Sequence, residues 1–514
     1  MPRPDQVGTS EVVVLDWRET GPIQGGFLRA FEEFRDSSFP WLLDSALHEH
    51  GLGRYSFMGS DPYTVIRVKG GVVEEHCRRA VRVGSQLGHH VVEADPLTRF
   101  RAWLGASPDL EGAPPVPFPF VGGAVGYLGY EFLHSSREDS GSPLGDEIDF
   151  ADATLLLVDR LLACDHQTGQ TYALALGFGA DRVQARQQAR LSVEALLEKV
   201  GPTVGKPVPK DRAHSQEEFP EVEVLGAAPP PGLRSDFEES GYTDQVLRIK
   251  EEIAAGNVYE ANLTHRMISP FAGDSWQLYR SLRRISPAPF ACFVEVPDGV
   301  VVGSSPERFL KLSSNGDVES RPIKGTRRRG ANARDDRALE QDLVTSEKDR
   351  AENLMIVDLV RNDLGRVCET GSVQVPTLMQ VERYASVFQM VSVVTGRLRD
   401  ECDGLDLVEA AFPPGSMTGA PKLAAISLLE DLEPVRRGVY SGAVGYFDQR
   451  GGMDLSVVIR TILLQKERAC FQVGGAVVAD SDAASEYAET IDKVRALWAA
   501  LNDVPVPKND GQAR

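Results

Sequence analysis

The 514-residue chain carries 55 lysines and arginines against 75 aspartates and glutamates, a net charge of -20. Such a chain offers no broad basic face to a phosphate backbone, so nucleic acid is not an expected partner. With 42% hydrophobic and 25% charged residues it reads as a globular protein with ample core. No run of 18 apolar residues occurs to span a membrane.

The opening MPRPDQVGTSEVVVLDW has no apolar signal core, so a cytoplasmic location is expected. Cys77, Cys164, Cys292, Cys368, Cys402 and Cys470 form no CxxC pair, which excludes a familiar zinc or disulfide framework and fits a reducing compartment. All nine histidines fall at or before His265. Any acid–base chemistry in the second half therefore relies on carboxylates, lysine, tyrosine or water.

From residue 11 to 160, apolar runs such as EVVVLDW, GGAVGYLGYEF and ATLLLVDRLLACD alternate with turns, as antiparallel strands do. The stretch ADRVQARQQARLSVEALLEKV reads as a helix ending at Val200. Residues rich in Pro, Gly and charge follow. The expected organisation is an N-terminal region over 1–200, a linker or exposed loop over 201–234, and a catalytic region over 235–505 that carries the chemistry-bearing clusters.

The first cluster is SSPERFLKLSSNGDVESRPIKGT. Asn315-Gly316 between two strand-like runs predicts a two-residue hairpin turn. That register sets Glu307 opposite Lys324, either as a surface pair or as a catalytic one. The second is TSEKDRAENLMIVDLVRNDLGR, a helix capped at Ser346 with Asp349 and Glu352 on one face. PPGSMTGAPK, residues 413–422, lacks the spacing of a nucleotide P-loop. Arg460 closes the apolar VVIRT, either in a structural ion pair or as a bidentate carboxylate clamp. QVGGAVVADS offers backbone N–H groups to an anion. In DSDAASEYAETIDKVRALW, the residues Tyr487, Ile491, Val494 and Trp498 form a core stripe, while Glu486, Glu489 and Lys493 share another face. Two helices that each present a carboxylate pair suit a hard cation such as Mg²⁺.

In their order, SPERF, PIKGT, KDRAENLMIVDLVRNDLGR, GSMTGAPK, YSGAVGYF, IRT, GGAVVADS and EYAETIDK resemble the chorismate-utilising enzymes. These include anthranilate synthase component I, aminodeoxychorismate synthase component I, and the isochorismate and salicylate synthases. The resemblance implies an α+β fold of two large antiparallel β-sheets packed as a sandwich, with helices outside and N- and C-terminal parts interlocked. Anthranilate synthases carry PIAGT where this chain has PIKGT, as aminodeoxychorismate synthases do.

By that resemblance Lys324 is a nucleophile for C2 of chorismate. The C4 hydroxyl leaves, and ammonia then gives 4-amino-4-deoxychorismate, a precursor of p-aminobenzoate and folate. Burial and a nearby metal are expected to lower the lysine's pKa, with Glu307 as acid–base partner shuttling its proton. Glu352 and Glu489 are implied as Mg²⁺ ligands with Glu486 in support, and Asp349 stands where anthranilate synthases have an acidic glutamate. Gly325, Thr326, Ser416, Tyr440, Arg460, Gly474 and Lys493 are implied as substrate contacts.

Three positions depart from the family pattern. Gln389 stands in place of a histidine, Ala476 in place of a glycine, and Glu260 in place of a glutamine, or of the lysine of the water-adding members. Ammonia is expected from a separate glutamine amidotransferase, since no cysteine here lies in a G-x-C-x-G turn. Ser45, Pro289 and Phe290 match a tryptophan pocket. The alternative reading is anthranilate synthase component I. A non-catalytic chorismate-binding subunit is disfavoured by the retained Glu307, Lys324, Glu352 and Glu489.

Overall fold

The computed structural model describes residues 11–23, 26–105, 116–133, 148–201, 230, 232–384 and 387–505. Most of the expected linker, residues 202–229 and 231, lies outside these. Two twelve-stranded sheets dominate, and the strand pairs within them are antiparallel. Strands from either side of residues 202–229 enter both. In one sheet Trp41–Asp44 pairs with Phe290–Val296, and in the other Gly123–Leu128 pairs with Ala443–Asp448.

Alternation along the strands shows why both faces of the first sheet are covered. On Gln170–Gly179, Leu174 and Leu176 point into the inter-sheet core. Ala173 and Ala175 point to the opposite face, beneath helices. There Phe31, Trp276, Tyr279 and Phe293 pack together, each at most 3% exposed. Residues buried on both faces of a strand explain why several stretches read as continuous apolar runs. The expected helix before Val200 forms over Arg182–Val200, capped by the Asp181 side chain.

The hairpin register differs from the expected one. Lys311 faces Glu319 and Leu312 faces Val318, one residue away from the two-residue turn. Ser314, Asn315 and Gly316 form a three-residue loop with Gly316 at φ 92, and this extra residue shifts every pair. Lys324 is therefore not cross-strand from Glu307. Its strand, Ile323–Arg328, pairs instead with Val387–Arg397.

Candidate active site

Lys324 and Gly325 sit where that pairing breaks register, between Ile323 opposite Val391 and Thr326 opposite Gln389. A bulge of this kind turns a side chain out of its usual alternation. Gly325 is required twice over. Its φ is 88, and a Cβ there would lie 3.0 Å from Asp349 Cβ and 2.9 Å from Leu343 Cδ1. The bulge directs a lysine that is only 8% exposed inward, while Thr326 is exposed.

The partner of Lys324 is Glu260, at the start of the strand Glu260–Pro270. Lys324 Nζ donates to Glu260 Oε1 at 2.6 Å. Burial works to lower the pKa of Lys324, but the carboxylates of Glu260, Glu352 and Glu307 together hold it above the ordinary lysine value. The expected lowering is thus reversed in direction, because several acids surround one base. Sequence reasoning missed this contact, although Glu260 in VYEANLTHR already stood out as a departure from the family's glutamine.

Glu307 is 5% exposed, and burial pushes its carboxyl up to about 7 despite a hydrogen bond from Ser416 and the charge of Lys324. The backbone N–H of Ile323 also reaches it. Ser416 lies in the short turn Gly415–Met417, where a Cβ on Gly415 would lie 2.5 Å from Leu359.

The helix Glu347–Gly365 is capped by Ser346, whose hydroxyl accepts from the Asp349 N–H at 3.3 Å. Asp349 also binds Arg327 at 2.8 Å. One turn further on, burial pushes Glu352 up to about 7. Its Oε1 has no hydrogen-bond partner among the described residues. Lys348 reaches Glu486 at 2.8 Å and approaches Glu352 at 3.8 Å. On the helix Ala483–Asn502, Glu486 is buried and also accepts from Ser481 Oγ at 2.6 Å, while Glu489 is half exposed and pairs with Lys493 at 2.8 Å. Lys493 donates to the carbonyl of Gly474 at 2.7 Å. A Cβ on Gly475 would lie 3.3 Å from Glu486 Oε2, so the glycine pair brings strand and acidic helix close together.

Among the described residues no three acidic, thiol or imidazole side chains close on one point. Lys348 and Lys493 stand among the glutamates. The donors nevertheless suit a hard divalent cation. A buried carboxylate oxygen makes no hydrogen bond among the described residues, and a lysine ammonium already approaches two of the three glutamates.

Arg437 binds this neighbourhood together. It donates to both oxygens of Glu433, to the carbonyl of Asn262 at 2.7 Å and to that of Met417 at 2.5 Å. Glu433 in turn accepts from the backbone and hydroxyl of Thr264, which faces Gly474. The buried Tyr440 lies nearby. Arg460 occupies a bend with φ 49 and makes no ion pair among the described residues, and burial lowers its pKa. This partly buried guanidinium, with no ion pair among the described residues, keeps its donors available to a carboxylate.

Ser45, Pro289 and Phe290 line a different cavity of about 500 Å³, with Arg308 and Lys311 on its wall. Glu307 and Lys324 do not border it.

A family model described as chorismate binding enzyme matches residues 47–499. An aminodeoxychorismate synthase of Streptomyces griseus is 43% identical over 91% of this chain, and the match spans 62% of that relative's length. An aminodeoxychorismate synthase component 1 of Bacillus subtilis (strain 168) is 36% identical, with 92% of this chain and 94% of the relative covered. The crystal structure of anthranilate synthase component I from Streptococcus pneumoniae superposes with a TM-score of 0.70 at 30% identity, covering 88% of this chain and 93% of that one.

Proposed function

The chain belongs to the family of chorismate-binding enzymes, and on that premise we propose that it converts chorismate and ammonia to 4-amino-4-deoxychorismate. This is the reaction of an aminodeoxychorismate synthase component I, which supplies p-aminobenzoate and folate synthesis. The observation that carries the reading is Lys324, a buried amine aimed inward by a bulge in a site crowded with carboxylates. Anthranilate formation needs no such amine.

In the proposed sequence the neutral Lys324 amine forms a bond to C2 as the C4–O bond breaks. Glu307, titrating near neutrality, gives a proton to the departing oxygen. Ammonia then bonds to C4, the C2–N bond breaks, and Lys324 is regenerated. Arg460 and the backbone around Gly474 take the substrate carboxylates, with Gly325, Thr326, Ser416, Tyr440 and Lys493 shaping the pocket. Held by Glu352 and Glu489 with Glu486 in support, Mg²⁺ would neutralise a substrate carboxylate and polarise the leaving oxygen. Holding the amine in place is itself a large effect, because effective molarity replaces an encounter.

A separate glutamine amidotransferase supplies the ammonia in this reading; the component 1 names of two relatives imply a second component for those proteins. The six cysteines are free and five are buried, which fits a cytoplasmic setting. Among the described residues no helix is long and apolar enough to cross a membrane. The cavity lined by Ser45, Pro289 and Phe290 has room for tryptophan, and calorimetry with tryptophan tests that assignment. The function is tested by incubating the purified protein with chorismate and Mg²⁺, adding either ammonium or glutamine, and identifying products by mass. We expect 4-amino-4-deoxychorismate from ammonium and none from glutamine. Anthranilate as the main product would transfer the reading to anthranilate synthase.

A further inference from the structure

Glu260 is fully buried, and its two oxygens differ. Oε1 accepts from Lys324 at 2.6 Å, while Oε2 has no hydrogen-bond partner among the described residues. The backbone that carries it is pinned. Glu260 pairs with Ala420, the N–H of Tyr259 donates to the Ala420 carbonyl at 2.7 Å, and a Cβ on Gly419 would lie 2.1 Å from the Glu260 carbonyl. Lys324 is pinned from the other side by its bulge and by Gly325. Two opposite charges thus meet on backbones that leave neither much freedom.

Such a pair is a poor stabiliser. Dehydrating both ions offsets most of their attraction, and an apolar pair of similar size does as well or better. A purely structural role also leaves unexplained why one carboxylate oxygen stays buried and unmatched. The other carboxylates near the lysine, Glu352 and Glu307, act on it through their charge and make no ion pair with it among the described residues. Among the described residues Glu260 is the only ion-pair partner of Lys324.

Resting on the reading that Lys324 attacks the substrate, we propose that Glu260 is its positioning residue: it fixes Nζ and accepts its proton, leaving Glu307 to serve the departing oxygen. In this step one Nζ–H bond breaks and its proton passes to the Glu260 carboxylate. The electron pair left on nitrogen forms the bond to C2. The acidic surroundings keep Lys324 protonated at rest, so attack requires an acceptor in contact, and Glu260 is that contact.

The test compares the wild type with Glu260→Gln and Glu260→Asp, measuring kcat and KM for chorismate from pH 7 to 9 beside thermal unfolding. For Glu260→Gln we expect kcat to fall about 100-fold at pH 7, the usual scale for losing an acid–base group, with KM changed less than about threefold. The deficit should shrink toward pH 9, where solvent removes the proton from an ammonium no longer held by a carboxylate. Glu260→Asp keeps the charge but is one methylene shorter, so its kcat should lie between the other two. A glutamine variant within twofold of wild-type kcat, or one with a pH-independent deficit, overturns the role. If the glutamine variant does not fold, an aspartate variant with wild-type kcat overturns it as well. A wild type that makes no 4-amino-4-deoxychorismate refutes the functional reading instead, so the two failures are distinct.

Discussion

Around Lys324 the buried charges are incompletely matched, whereas around the cavity beside Ser45 they are matched closely. In the first region, among the described residues, Glu352 Oε1 and Glu260 Oε2 lack hydrogen bonds and Arg460 has no acidic partner, and burial pushes both Glu307 and Glu352 up to about 7. In the second, Asp44 is just as buried, yet it receives Arg283 at 2.6 Å, Tyr279 at 2.8 Å and Ser56 at 2.9 Å. Burial works against its charge, but Arg283 and Tyr279 hold its carboxyl below the ordinary range. Arg308, on the same cavity wall, is held by Asp454 and Glu319. Unmatched buried charge is expensive and persists where a ligand or a reaction completes it, while matched charge belongs to the scaffold.

Substitutions can break this contrast. Arg283→Ala leaves Asp44 buried without a counter-charge and should destabilise the fold by about 3–5 kcal/mol, with kcat nearly unchanged. Denaturant midpoints and initial rates check both halves. Lys324→Ala should instead slow 4-amino-4-deoxychorismate formation at least ~100-fold, about 2.7 kcal/mol in barrier. It also leaves Glu260 buried without its ion-pair partner, so a stability loss accompanies the rate loss, and the contrast with Arg283→Ala lies in kcat.

The raised titration of Glu352 predicts two signs. A carboxyl whose pKa is raised in the folded state contributes stability below its unfolded value of about 4.3, and that contribution is lost as pH rises through about 7. Glu352→Gln should therefore flatten the fall in stability between pH 5 and 8. A cation that needs the ionised form should bind better above pH 7. The unfolding temperature should rise with Mg²⁺ by on the order of 1–2 °C more at pH 8 than at pH 6, and Glu352→Gln should remove that difference. The smallest effect is local. Ser346→Ala removes the cap of the helix that carries Glu352 and should cost about 1 kcal/mol, with little change in KM.

Much of the site was legible because its chemistry lies in short segments. The helix that carries Glu352, its Ser346 cap and the core stripe of Tyr487, Ile491 and Val494 follow from local spacing alone. The register near Lys324 did not follow, because one extra loop residue is hard to tell from a two-residue turn, and a bulge depends on a partner strand some 65 residues away. Glu260 and Lys324 meet only through tertiary folding, and no periodicity encodes that meeting. Lys348 was closer to hand, since it stands four residues before Glu352 on one helix face, the spacing of an ordinary helical ion pair.

The strand Gly123–Leu128 has neighbours on both sides, and one of them, Ala443–Asp448, comes roughly 300 residues later in the chain. During synthesis at about 5–20 residues per second, the earlier strand would wait roughly 15–60 s before its partner leaves the ribosome. Throughout that interval the first part of the protein holds two half-built sheets with open edges, since Trp41–Asp44 must likewise await Phe290–Val296. Interlocking the two halves therefore makes the newborn chain dependent on whatever shields those edges until the last strands arrive.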